Sequence, residues 1–162
     1  MKEMTEEQAL SRLAAECSRA EHCSGEMLAK MRRWALPEDA QARIMAYLTE
    51  HKYVDDERFA RAFVADKIRY SKWGRRKIEQ ALWMKGVEKS ISQPVLDETD
   101  SGEYLSVLRP LLRSKRKTTR AGSEYELNMK LVKFALSRGF TMDIIRQVID
   151  DADEMGDDGD DC

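Results

Sequence analysis

Proline is scarce in this sequence, three residues in 162, and glycine is little commoner at eight. Sandwiches and barrels of β-strands need many tight turns, which these two residues mostly supply, so their scarcity argues against an all-β fold. Cysteine is sparse as well: three residues, an odd number with no CxxC pair, argue against a disulfide framework. Cys17 falls on the apolar face of the first helical segment and Cys23 in the turn after it, and both read as reduced side chains of a cytoplasmic protein. His22 lies beside Cys23, but no second ligand pair follows at a useful spacing, so no metal is expected. No window approaches the ~18 uninterrupted apolar residues of a membrane span. The opening Met1-Lys2-Glu3-Met4-Thr5-Glu6-Glu7 leads into no apolar stretch, so a secretory signal is not expected either. Missing too are a Ser-His-Asp set, a phosphate-cradling glycine loop and a zinc motif. The carboxylate pair Asp55-Asp56 stands directly before a helical segment, where it satisfies free N–H groups and the helix dipole. Neither catalysis nor a cofactor is expected.

What remains is rich in helix formers. Apolar residues recur at helical spacing almost throughout, and they mark nine segments. Thr5 with Gln8 and Ser123 with Glu126 are candidate capping boxes for the first and eighth. Ser24 opens the second, and Pro37 stands near the start of the third, where a proline loses no needed N–H. Asp55-Asp56 precede the fourth, with Phe59, Ala60, Phe63 and Val64 on its apolar face. Ile78 and Leu82 mark the fifth, and Gly86 suits its C-terminal end. The sixth, capped by Ser90, carries Ile91, Val95 and Leu96. Leu105, Leu108, Leu111 and Leu112 mark the seventh, in which Pro110 should force a kink or a split near Leu108-Arg109. The eighth buries Leu127, Leu131, Phe134 and Ala135 and stops at Gly139. Thr141 caps the ninth.

A period emerges when the helix ends are superposed. Ile78, Leu82, Gly86, Val87, Ile91 and Val95 map without a gap onto Leu131, Ala135, Gly139, Phe140, Ile144 and Val148. Met27, Met31, Ala35, Leu36, Ala40 and Ile44 fit the same frame, with Ala35 in the glycine's place. Repetition explains three gapless matches better than chance. The expectation is an all-α chain of three three-helix repeats, 1–54, 55–99 and 100–154, followed by a disordered acidic tail at 155–162. A unit of about fifty residues has little core of its own, so stacked units and an elongated, curved molecule are expected.

Charged residues make up 36% of the chain, yet the net charge is only −2, so charge must be read by segment. Residues 58–92 hold 10 basic and 3 acidic side chains, net +7, and residues 109–138 hold 9 and 2, again net +7. Residues 139–162 hold 1 and 9, net −8. The first basic block centres on Lys67, Arg69, Lys72, Arg75, Arg76 and Lys77, with Tyr70 and Trp73 interleaved. Cations release counterions from a phosphate backbone and aromatic rings stack on bases, so the block suits nucleic acid. It also suits a solvated outer face with Trp73 packed inward. The second block, Arg113, Lys115, Arg116, Lys117 and Arg120, reads either as a contact surface or as a solvated loop between the seventh and eighth helices.

One stretch carries a family resemblance. Tyr53-Val54-Asp55-Asp56-Glu57-Arg58-Phe59-Ala60, followed by Trp73-Gly74-Arg75-Arg76-Lys77-Ile78, Leu82 and Lys85-Gly86-Val87, resembles the RecX family, cytoplasmic bacterial regulators of the RecA recombinase. The resemblance covers about residues 47–98 and reaches the outer repeats in spacing more than in identity. It implies a regulator of DNA repair and recombination in the SOS response, usually an inhibitor, that acts as a monomer in the groove of the RecA–DNA filament. Single- or double-stranded DNA is a further expected contact. Asp55, Asp56, Phe59 and Ala60 match the family's turn and helix, a structural role. Gly74, Arg75, Arg76 and Ile78 match its basic helix start, the expected contact surface. The chain departs from the pattern in being mildly acidic, with pI ≈ 5.8, and in having Trp73-Gly74-Arg75 where relatives often have Gly-Pro. Both departures weigh against DNA binding by the chain alone more than against filament binding.

Overall fold

The computed structural model describes residues 3–159, and their side chains as far as residue 150. Among the described residues there are nine α-helices and no strand. They are α1 Glu6–Arg19, α2 Ser24–Arg33, α3 Glu38–Glu50, α4 Asp56–Arg69, α5 Arg75–Met84, α6 Lys89–Glu98, α7 Ser101–Thr118, α8 Glu124–Ser137 and α9 Met142–Gly159. The chain packs as two compact units, residues 1–63 with 81–95 and residues 64–80 with 96–162, so α4, α5 and α6 each contribute to both.

In the first unit, Ala9 and Leu13 of α1, Met27 and Met31 of α2, and Ile44 and Leu48 of α3 form one buried cluster with Leu36 and Val54. Each of these larger side chains stabilises the fold by about 1.5–3 kcal/mol relative to exposure. Both Thr5 and Gln8 take part in the capping box of α1, at 3.1 Å in each direction. The two aspartates before α4 divide their work. Asp55 accepts from the Arg58 N–H of its own helix at 3.0 Å. Asp56 turns to α2 and accepts from the Ser24 N–H at 2.7 Å and from the Ser24 hydroxyl. One carboxylate of the pair therefore caps a helix 32 residues away.

In the second unit, Tyr104, Leu105, Leu108 and Leu112 of α7, Leu131 and Ala135 of α8, and Ile144, Ile145 and Val148 of α9 are buried. Leu127 and Phe134, expected to be buried, are only half-buried. Pro110 does not split α7, which runs unbroken from Ser101 to Thr118. The proline and Ser106, whose carbonyl loses its amide partner, both lie on the solvent-exposed face, so that carbonyl is not forced into the core. Helix α6 begins at Lys89, and the Glu88 carbonyl accepts from Ile91 and Ser92, so its cap is Glu88 rather than Ser90. Pro94 accordingly sits in the helix interior, again exposed.

The repeat frame has a conformational counterpart. Ala35, Gly86 and Gly139, aligned by sequence, all have positive φ, at 55°, 85° and 92°. Each follows the second helix of its repeat, where a left-handed residue ends the helix and lets the chain reverse. Glycine adopts that conformation without strain, whereas Ala35 bears it with a Cβ. Helix α9 extends to Gly159. The tail expected at 155–162 falls on residues whose side chains, and from 160 onward whose backbone, lie outside the described residues.

Candidate partner-binding surface

The basic surface starts from a helix junction. The N–H groups of Gly74 and Arg76, at the start of α5, donate to the carbonyls of Arg138 and Gly139, at the end of α8, at 2.8 and 3.0 Å. Four N–H groups at a helix start and four carbonyls at a helix end have no partner within their own helix, and here the two sets serve one another. The approach is close enough to require glycine. A Cβ on Gly74 would stand 2.3 Å from the Phe140 nitrogen, and one on Gly139 would stand 2.4 Å from the Lys77 Cβ. A second junction of this kind lies in the other unit, where a Cβ on Gly25 at the start of α2 would stand 2.0 Å from the Lys85 carbonyl oxygen at the end of α5. Cys23 is buried there, and its Sγ donates to the same carbonyl at 3.3 Å. Burial pushes the thiol up to about 11, which makes it a poor nucleophile.

The first basic block surrounds the α5–α8 junction. Half-buried Trp73 has the ammonium groups of Lys67 and Lys77 at 5.1 and 4.8 Å from its ring centre, so it packs between two cations. Arg75 is held by Asp97 at 2.6 Å. Arg76 is exposed on the outer face of α5 and helps hold the Asp143 carboxyl below its usual range, after the larger effect of the Thr141 hydroxyl. Arg69, Tyr70 and Lys72 are exposed, with the Arg69 guanidinium 5.5 Å from the Tyr70 ring centre. Tyr70 is 70% exposed, which leaves it, rather than Trp73, as the ring in this block with a face to offer.

The second block is not a loop. Arg113, Lys115, Arg116 and Lys117 occupy the last turns of α7, and of the five only Arg120 lies in the connection to α8. Cations at a helix C-terminus are stabilised by the exposed carbonyls there, which favours helix over loop. Arg116 is spent on structure, joined to Glu124 and to Asn128 at 3.0 Å each. Arg113, Lys117 and Arg120 are exposed.

Helix α8 connects the two blocks. Its C-terminal end meets the first and its N-terminal turn meets the second, and at 1.5 Å per residue its fourteen residues span about 20 Å. Between them the Phe134 ring has the Lys115 ammonium at 4.8 Å and the Arg138 guanidinium at 5.2 Å. The surface thus alternates rings and cations: Lys67, Trp73 and Lys77 at one end, and Arg138, Phe134 and Lys115 towards the other. Phe134 and Arg138 were missed as members of this line. Their contacts depend on α7 and α8 lying side by side, and no local spacing reveals that. Nothing in the arrangement gathers a nucleophile, a base and an orienting group. What it presents is a row of cations interleaved with aromatic rings.

The chain is similar to proteins of one family. Residues 55–96 match the family description "RecX, second three-helix domain", and residues 102–149 match "RecX, third three-helix domain". A "Regulatory protein RecX" from Clostridium botulinum (strain Eklund 17B / Type B) is 33% identical over 119 residues, 71% of this chain and 54% of the relative. Another of that name, from Chlorobium limicola (strain DSM 245 / NBRC 103803 / 6330), is 29% identical over 79% of each chain. The chain therefore spans about half the length of the first of these relatives, and more of the second. The crystal structure of RecX from Lactobacillus salivarius superposes with a TM-score of 0.83 at 21% identity, covering 91% of this chain and 96% of that one. A second crystal structure, of a regulatory protein RecX, gives 0.82 at 20% identity over 90% and 73%. At these identities the solved structures support the fold alone.

Proposed function

The chain belongs to the RecX family, and from that premise we propose that it is a regulator of RecA, an inhibitor that binds the RecA–DNA filament in the cytoplasm during DNA repair and recombination. The observation that carries the reading is the match to the second and third three-helix domains, which together take in both basic blocks. The three-helix units 1–54, 55–99 and 100–154 are proposed as the elements that meet successive filament subunits, since a repeating protein suits a repeating partner. The exposed cations Arg69, Lys72, Arg76, Arg113, Lys117 and Arg120 serve the filament's anionic surface. Arg75 and Arg116, each already paired with a carboxylate, hold the helices that present them. The protein acts as a monomer and performs no chemistry of its own.

A second reading is that these cations bind DNA without RecA, and the exposed Arg69–Tyr70 pair favours it. Pull-down on bead-tethered single-stranded DNA, with and without RecA bound, separates the two. Filament binding predicts that the protein pellets with RecA–DNA and much less with equal DNA alone. DNA binding alone predicts equal pelleting in both, with affinity falling steeply as salt rises. A protein that stays in the supernatant in both arms would remove both readings.

A further inference from the structure

Helix α8 carries a feature that the basic surface does not use. Tyr125, Met129, Val132 and Leu136 recur at i, i+4, i+7 and i+11, which places them on one stripe about 16 Å long. Tyr125 is 76% exposed, Met129 41% and Leu136 39%, and Val132 is half-buried. At 100° per residue the stripe lies far round the helix from Phe134, on the other side of buried Leu131 and Ala135. Isolated exposed apolar residues are ordinary, but three in one row, with a fourth half-buried between them, are not.

The internal repeats show that the fold does not require this row. Lys72, Arg76 and Glu79 stand at three of the same four places at or before α5, with Trp83 at the fourth, and Glu21, Gly25, Leu28 and Arg32 stand at them around α2. Equivalent helices therefore pack well with charged residues there. What distinguishes α8 is an apolar row set within the segment 109–138, which has 9 basic and 2 acidic residues. Exposed Lys133 lies beyond one edge of the row, with Lys130 further round and paired to Glu126 at 3.4 Å, and half-buried Arg116, held at Glu124 and Asn128, lies by the other.

We propose that this stripe is a protein-docking face, and that its occupant is an apolar ridge flanked by carboxylates on the surface of the filament protein. The inference rests on the filament-binding reading and adds to it the face that meets protein rather than phosphate. The apolar row matches the ridge itself, and the excess of 9 basic over 2 acidic residues in the surrounding segment matches its carboxylates. A phosphate backbone would satisfy the cations and leave Met129, Val132 and Leu136 uncovered. Apolar anchors at the centre with a polar rim is the arrangement from which interfaces draw most of their affinity.

The test compares the full-length protein with a Tyr125→Ser/Met129→Ser variant and an Arg113→Glu/Lys117→Glu variant. Each is titrated onto RecA filaments on single-stranded DNA and onto the bare oligonucleotide, at low and high salt. The stripe variant should lose about tenfold or more of its filament affinity at either salt concentration, with its affinity for the oligonucleotide unchanged. The charge variant should show a defect that shrinks as salt rises. Circular dichroism checks folding, and Tyr125→Ser alone is the fallback, since that side chain is the most exposed. Wild-type filament affinity in a folded stripe variant would overturn the inference and leave the filament reading standing. Equal loss on bare DNA would assign the stripe to nucleic acid. Self-association of the wild type, abolished in the variant, would assign it to a second copy. Either result would overturn the proposal. Wild-type protein that ignores the filament altogether would overturn both the proposal and the reading beneath it.

Discussion

Replacing Gly74 by alanine tests the helix junction on which the basic surface is built. The new Cβ would lie 2.3 Å from the Phe140 nitrogen and 2.4 Å from both the Phe140 Cα and the Gly139 carbonyl carbon. All three are backbone atoms, so no rotamer change relieves the overlap. Non-bonded carbons rest about 3.5–4 Å apart, so the start of α5 and the end of α8 must separate by about 1 Å. Overpacking of that kind costs about 1–3 kcal/mol. The separation also weakens the Gly74 to Arg138 and Arg76 to Gly139 hydrogen bonds, each worth about 0.5–1.5 kcal/mol. The sum, about 2–6 kcal/mol if both bonds are lost, is a large part of the 5–15 kcal/mol typical of a folded domain. With a urea m-value of about 1–3 kcal/mol/M, the unfolding midpoint should fall by on the order of 1 M or more. Gly102→Ala is the control: its Cβ would meet nothing nearer than the Asp100 carboxylate at 3.5 Å, within a helix that favours alanine. Equilibrium urea unfolding followed by circular dichroism measures both. A Gly74→Ala midpoint no lower than that of Gly102→Ala would refute the junction. The comparison also guards the functional assays, because a regulator lacking activity through Gly74→Ala would have lost its fold rather than a contact.

Ala35→Gly should act in the opposite direction, stabilising by up to about 1 kcal/mol because it relieves a left-handed alanine. A thermal midpoint raised by about 2–4 °C would match, and a lowered one would contradict the repeat frame. Asp56→Ala removes the acceptor for the Ser24 N–H and hydroxyl and should cost about 0.5–2 kcal/mol. A double-mutant cycle with Ser24→Ala that shows no coupling would count against that cap. For Cys23 the sign follows from linkage. Its folded-state thiol is pushed up to about 11 by burial, above the value of an exposed thiol near 8.5. The unfolded chain therefore loses the proton first, and stability should fall as pH rises from about 9 to about 11. In a Cys17→Ser/Cys162→Ser protein, rapid labelling of Cys23 at pH 8 without denaturant would show that the thiol is not buried.

How much of this was readable in the sequence depends on how far apart the partners lie. The C-terminal ends of the second helices were legible because Ala35, Gly86 and Gly139 each follow an i, i+4 apolar pair, and all three proved to have positive φ. The capping box at Thr5 was legible because its partner is three residues away. Gly74 was legible as a motif but its reason was not, since Arg138 and Gly139, which it meets, lie 64 and 65 residues further on. Asp56 was read as a cap for α4, and only the packed chain brings it to Ser24. Local rules failed outright at Pro110 and at the second basic block. In both, tertiary packing and solvent access outweighed propensity: an exposed carbonyl tolerates a proline, and the apolar side of α7 carries its charged end into a helix. The α8 stripe was not read from the sequence, because Leu127, Leu131 and Ala135 share the helix and burial was needed to tell which row faces solvent.

The most direct measurement of the central claim is ATP hydrolysis by RecA on single-stranded DNA, titrated with this protein. Inhibition of the filament predicts that the hydrolysis rate falls with added protein at or below one copy per RecA monomer. It also predicts that an Arg76→Glu/Lys117→Glu variant needs markedly more protein for the same effect. A hydrolysis rate unchanged at every excess of the folded wild-type protein would contradict the account.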